Sequence, residues 1–150
     1  MSTEADIADA LLTHVGALPF SPPYPIKYPD VPFVDQPTPT APPEAPAVWL
    51  RATILPVDNE HVGLDRVVDA TVHAGILQVD VFHQEGHGEI RPAEIADVIV
   101  DHFKYGTRIA AGNLWVSVIA KPSRLALYHD APWVGVPVRV RFQCIVAGEE

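Results

Sequence analysis

Cysteine is almost missing from this chain. Cys144 stands alone among 150 residues, so no intrachain disulfide can form. On an apolar strand such a residue is a small hydrophobe rather than a thiolate nucleophile. Basic side chains are scarce as well: ten Lys and Arg stand against nineteen Asp and Glu, for a formal net charge of −9. So acidic a chain does not grip nucleic acid by neutralising phosphates, although it suits the wall of a channel through which DNA passes. No apolar run reaches the ~18–20 residues that span a bilayer, and Met1–Ala10 is acidic rather than a basic-then-apolar leader. We expect a soluble protein made in a reducing compartment. GxSxG, GxxxxGKS/T, HExxH and a GxGxxG after a strand are all absent, and no Ser or Thr sits beside an evident His–acid pair.

What is present is apolar patterning and proline. Apolar residues make up 48% of the chain and charged residues 19%, enough for a core, and the length suits one domain over residues 1–150. Ser2–Gly16 predicts a helix: Ser2 or Thr3 caps it, Glu4 and Asp6 suit its positive end, and Ile7, Leu11 and Val15 form one stripe. Eleven of the 16 prolines then fall between Pro19 and Pro46. "YPIKYPDVPF" is extended, with room for a short edge strand. "DQPTPTAPPEAPA" (35–47) has nothing to build a core with and reads as an extended loop, either solvated or lying on a neighbour as an arm.

Strand patterns follow. Val48–Pro56 alternates, "VDNEHVGLDR" (57–66) reads as a long turn, and Asp69–His83 is the next strand, antiparallel to the first. Fifteen residues at ~3.3 Å span roughly 50 Å, against a radius of gyration near ~15 Å for a domain this size, so a hairpin projecting from the body is expected. The alternation changes phase: Val72, Ala74 and Ile76 are even, whereas Leu77, Val79 and Val81 are odd. A bulge or kink near Gly75 would account for that. It would also put Ile76, Leu77 and Val79 on a surface suited to a partner. Pro92–Tyr105 predicts a second helix stopped by Gly106, with His102 at the edge of its buried stripe. Leu114–Ala120, a short irregular Arg124–Asp130 and a regular Trp133–Ile145 complete the set. Pro137 in the last of these implies an edge or a bulge. The sum is an α+β fold, an antiparallel or mixed sheet with two helices on one face.

"VFHQEGHGEI" is the stretch most suggestive of chemistry. His83, Glu85, His87 and Glu89 alternate, and in an extended segment the first three would share a face. A zinc cage, however, needs a rigid ligand set with an ordered outer shell, and Gly86 and Gly88 favour a turn. The bland reading is a polar connector and the sharp one a small metal-dependent enzyme using His83, Glu85 and His87. Arg139 and Arg141 are either an anion site or a solvated pair. A small-molecule-binding domain, which would show an apolar pocket, is a weaker reading.

The order of motifs resembles a known family. The N-terminal helix, the Pro-rich stretch, "WLRATILP", "GILQVDVFHQEGHG", "PAEIADVIVDHF" followed by "GTRI", and "WVGVPVRVRFQC" are together similar to the tail-terminator-like proteins of long-tailed phages and gene transfer agents, from about Ile7 to Cys144. The Pro-rich segment is longer than the family pattern. The resemblance implies a structural virion protein with no catalysis, cofactor or metal. It implies a homo-oligomeric, six-fold ring that caps the tail tube, stops its growth and joins the tail to the head connector. Its partners would be itself, the major tail tube protein and the connector, with DNA passing through the lumen unbound and no membrane involved. It places the protein in the virion tail at the head–tail junction, and in the host cytoplasm during assembly. The resemblance also implies a strand starting at "GTRI". Interface candidates are Ile76, Leu77, Val79, Arg139 and Arg141. Another head–tail joining protein, an adaptor or stopper, is the alternative.

Overall fold

A computed structural model of the chain describes residues 3–34, 36–56, 60–63 and 69–147. In order these form α1 (Thr3–Gly16), β1 (Ile26–Lys27), β2 (Val48–Pro56), β3 (Glu60–Gly63), β4 (Asp69–Gln84), α2 (Ile90–His102), β5 (Arg108–Ala111), β6 (Leu114–Val118), β7 (Ser123–Arg124), β8 (Tyr128–Asp130) and β9 (Trp133–Ala147). The fold is α+β, as the patterning implies. The strands join in one mixed sheet of order β1-β2-β4-β9-β6-β5, with β3 added to β4 and β7 and β8 to β9. Only β1, the short strand among the prolines, pairs in parallel.

The spine is β4 against β9. Fifteen residue pairs run without a slip from Ala70↔Ala147 to Gln84↔Trp133. Each long strand is served on its other side by shorter strands placed end to end: β2 and β3 along β4, and β6, β7 and β8 along β9. Odd residues of β4 and even residues of β9 face the helices. Leu77, Val79, Val81, Val138 and Val140 are fully buried there, with Leu50 and Ala52 of β2. Ile7, Ala10, Leu11 and Val15 of α1 and Ile95, Ala96 and Ile99 of α2 close the core over that face.

Several expectations are corrected. The phase change at Gly75 is not a bulge against β9, because that register runs straight through it, while the pairing with β2 ends there at Pro56. Gly75 occupies a core-facing position whose side-chain space is taken by the ring of its cross-strand partner Phe142, 2.7 Å from where a Cβ would sit. The turn expected over 57–66 contains strand β3, paired with the outer end of β4; the remainder of that turn, like the Ser2 cap, lies outside the described residues. Helix α2 begins at Ile90, two residues before the expected start. Pro92 still lies among the first four helical positions, where a missing N–H breaks no helical bond. Pro137 is in neither an edge nor a bulge but in the middle of the sheet, opposite Asp80. In an antiparallel ladder a residue's N and O point to the same side. Pro137 O accepts from Leu125 N at 2.9 Å, so its missing N–H faces the break between β7 and β8, where no ladder bond is lost. The "GTRI" start is strand β5, from Arg108, hairpin-linked to β6.

Candidate functional site

The alternating His–Glu stretch does not converge. His83 is the last core-facing residue of β4 and is fully buried. Its Nδ1–H donates to the Gln84 carbonyl at 2.9 Å, and its buried Nε2 has no hydrogen-bond partner. Glu85, His87 and Glu89 are exposed on the turn beyond, where Gly86 and Gly88 take positive φ. The His87 ring lies 5.9 Å from that of His83. Among the described residues no three His, Cys, Asp or Glu side chains are grouped to hold a metal.

A second pair of histidines does converge. His14, in the last turn of α1, and His102, in the last turn of α2, stack with ring centroids 4.0 Å apart. Each caps the other's helix: His14 Nε2–H donates to the His102 carbonyl at 3.1 Å and His102 Nε2–H to the His14 carbonyl at 2.7 Å. Orphan carbonyls at helix C-termini need such donors. Sequence reasoning placed His102 correctly at the core edge but had no means of pairing it with a residue 88 positions away.

Burial holds both His102 and His83 neutral, so their pKa values lie below the ordinary 6.5. The unfolded chain therefore takes up protons at these sites at higher pH than the folded chain does. In that window the unfolded state binds more protons, so stability falls as pH drops through about 6.5 and levels off below the folded values. We expect the thermal midpoint to fall by several degrees between about pH 7.5 and pH 5. His102→Gln, which keeps a donor and removes the titration, should flatten that slope when melting is followed by circular dichroism.

The sheet face turned away from the helices divides into two halves. At the Trp133 end it is sealed by the chain itself. Trp49 stacks on Phe82 at 4.1 Å, Trp133 meets Trp49 edge-on at 6.0 Å, and Phe33 of the Pro-rich region packs against Trp49 at 5.2 Å. Residues 36–47 are tied to the sheet by Gln84: its Oε1 accepts from Thr40 N, Thr40 Oγ1 and Ala47 N, and its Nε2 donates to Thr40 O at 2.7 Å. Next to this cluster lies a polar network. Asp80 is fully buried; its Oδ2 accepts from Arg51 Nε and Nη2 at 3.3 and 3.1 Å, its Oδ1 from Gln78 Nε2 at 3.0 Å, and Gln78 Oε1 accepts from Arg139 Nε at 3.1 Å.

The other half is bare. Leu55 pairs across strands with Ile76, Ile76 with Arg141, and the Ile119 N–H donates to the Arg141 carbonyl at 3.0 Å, making one row. Val72 opposite Ile145 lies two rows further out, beyond the row of Ala74 and Gln143, with Trp115 of β6 alongside. Leu55, Trp115, Ile119 and Ile145 are 41%, 50%, 40% and 56% exposed, and the Arg108 guanidinium lies 4.8 Å over the Trp115 ring.

The structure distributes the five interface candidates unequally. Ile76, Arg139 and Arg141 lie on this open face. Leu77 and Val79 point the other way and are filled in by the helices, with no exposed surface, because strand residues one apart face opposite sides. Trp115, Ile119, Ile145 and Leu55 were missed; they belong to three separate stretches, and only the strand order puts these on one face. A mostly apolar cavity of about 360 Å³ lies between α1 and the outer end of the sheet, lined by Ile7, Leu12, Ile54 and Phe142 with Glu4 and His73 among its polar residues.

No match is found among curated proteins. A solved structure at 22% identity superposes with a TM-score of 0.69, covering 96% of this chain and 96% of that one, a likeness of fold alone. No helix among the described residues is long and apolar enough to cross a membrane. Residues 6–142 match the family model for the phage tail terminator protein. That match runs from within α1 to Phe142 of β9 and takes in α2 and most of the β4–β9 spine, and the chain belongs to the phage tail terminator family, structural proteins of the virion tail.

Proposed function

We propose that the protein closes into a ring, a hexamer, on the last ring of the tail tube, stops tube growth there and joins the tail to the head connector, with DNA passing through its lumen. The observation that carries this reading is the half-bare sheet. One half of a single face is sealed by the chain's own aromatic residues and Pro-rich loop, and the other exposes a row of large apolar side chains. A closed ring of identical subunits needs a patch of that kind, matched to a different patch on the neighbour. The net charge of −9 favours a lumen that repels DNA rather than holding it.

Particles assembled without the protein, viewed by negative-stain microscopy, should carry tails of uncontrolled length or tails that fail to join heads. Tails of normal length already joined to heads would sink the proposal. Density on the portal side rather than on the tube would favour an adaptor or stopper.

A further inference from the structure

A ring contact has two sides, and the bare half-sheet is only one of them. We infer that its counterpart is the outer face of α2 on a second copy, with Arg139 and Arg141 of one subunit set against Asp97 and Asp101 of the next. The inference rests on the assembly reading above and adds the pairing of surfaces to it.

Charge is sorted between the two faces of the subunit. Four of the ten basic residues, Arg51, Arg108, Arg139 and Arg141, stand on the open sheet face. Of the described strand carboxylates whose register puts them on that face, Asp80 is buried in the Arg51 network, Asp130 is at the sealed end, and Glu60, opposite Val72, is at the far outer end of β4. The helix layer is the reverse. Glu94, Asp97 and Asp101 are exposed along one side of α2, and Glu4 and Asp9 are exposed on α1. Arg91 and Lys104 stand at the two ends of α2.

Spacing matches as well as sign. Arg139 and Arg141 are two apart on a strand, so their Cα atoms are ~6.6 Å apart on the same face. Asp97 and Asp101 are four apart on a helix, ~6 Å along its axis on the same side. Arg139 is braced through its Nε by Gln78, which leaves the outer nitrogens of its fork to meet a carboxylate. Between the two aspartates Val98 lies in a shallow groove with Pro19 and His102, an apolar strip to meet Ile76 and Ile119. Asp97 is 3.8 Å from Arg124 of its own chain, both side chains well exposed, a pair of the kind that exchanges partners at little cost. Opposite faces of one subunit joined in this way give a head-to-tail contact, the type that closes into rings.

The test is a charge exchange in the full-length protein, measured as association on tails purified from particles lacking it. Arg139→Glu with Arg141→Glu, and separately Asp97→Lys with Asp101→Lys, should each weaken subunit association at least about tenfold while still unfolding cooperatively, the arginine variant at a lower temperature because Gln78 loses the Arg139 donor. A chain carrying all four changes should recover most of that loss. In a second measurement, Arg141→Cys with Asp101→Cys should give a ladder of disulfide-linked oligomers on the same tails, since the native Cys144 is buried. The inference is overturned if the helix variant associates like wild type, if the four-change chain stays as defective as the arginine variant, or if no ladder forms while wild-type rings do. Wild-type protein that neither forms rings nor limits tail length overturns the assembly reading, and the pairing with it.

Discussion

Gly75→Val should destabilise the protein by about 3 kcal/mol, at the top of the range for overpacking a filled core. A Cβ at this position would meet the Phe142 ring at 2.7 Å and the Leu55 backbone carbonyl at 2.9 Å. The carbonyl belongs to the neighbouring strand and cannot give way, and the buried Phe142 ring can shift only toward the cavity that it lines beside α1. Chemical denaturation gives the loss directly. The mechanism predicts coupling: Gly75→Ala with Phe142→Leu should cost less than the sum of the two single changes, because the smaller side chain vacates the space the methyl needs. If valine is accepted within about 0.5 kcal/mol, the strand bulges here after all.

Asp80→Ala should cost about 2–3 kcal/mol. The carboxylate is fully buried and accepts from Arg51 and Gln78, so removing it strands two donors. The loss stays below the 3–5 kcal/mol of a wholly buried pair, because the Arg51 side chain is 39% exposed and water takes over part of its solvation. Replacing Arg51 and Asp80 together with leucine should cost less than Asp80→Ala alone, since no charge is then left without its partner. Equal losses in the single and the double variant, in the same denaturation experiment, would mean that the network contributes through packing and not through its charges.

The Gly75 site also shows where pattern reading fails. Alternation identifies a strand's buried face by its large residues. At 73–76 the large residue, Ile76, is on the open face, and the core face carries His73 and Gly75, the latter completed by a phenylalanine 67 positions later. An apolar residue on a sheet face that awaits a partner looks the same in sequence as one in the core, so Ile76 and Leu77 were both read as surface although only Ile76 is. The helices were legible because their apolar stripes are local. So was β9, whose valines alternate for a full strand. The contacts that shape the open face were not: the Gln84 anchor of residues 36–47 and the His14–His102 clasp are long-range hydrogen bonds with no local signature. Short strands β3 and β7, of four and two residues, exist because a long neighbour offers them a ladder.

The β4–β9 spine has a consequence for synthesis. The strand that completes the sheet is the last element of the described chain, and as the chain emerges α1 is made first. When β4 has been translated it is flanked by β2 and β3 on one side only. Its other edge and the core face of the sheet stay open until residues beyond Trp133 appear, and α1 waits for His102 before the reciprocal bonds can form, 88 residues later. A topology dominated by such distant pairings folds slowly and leaves apolar strand edges exposed meanwhile. Newly made subunits therefore pass through a stage in which strand edges, rather than the finished open face, decide what they stick to.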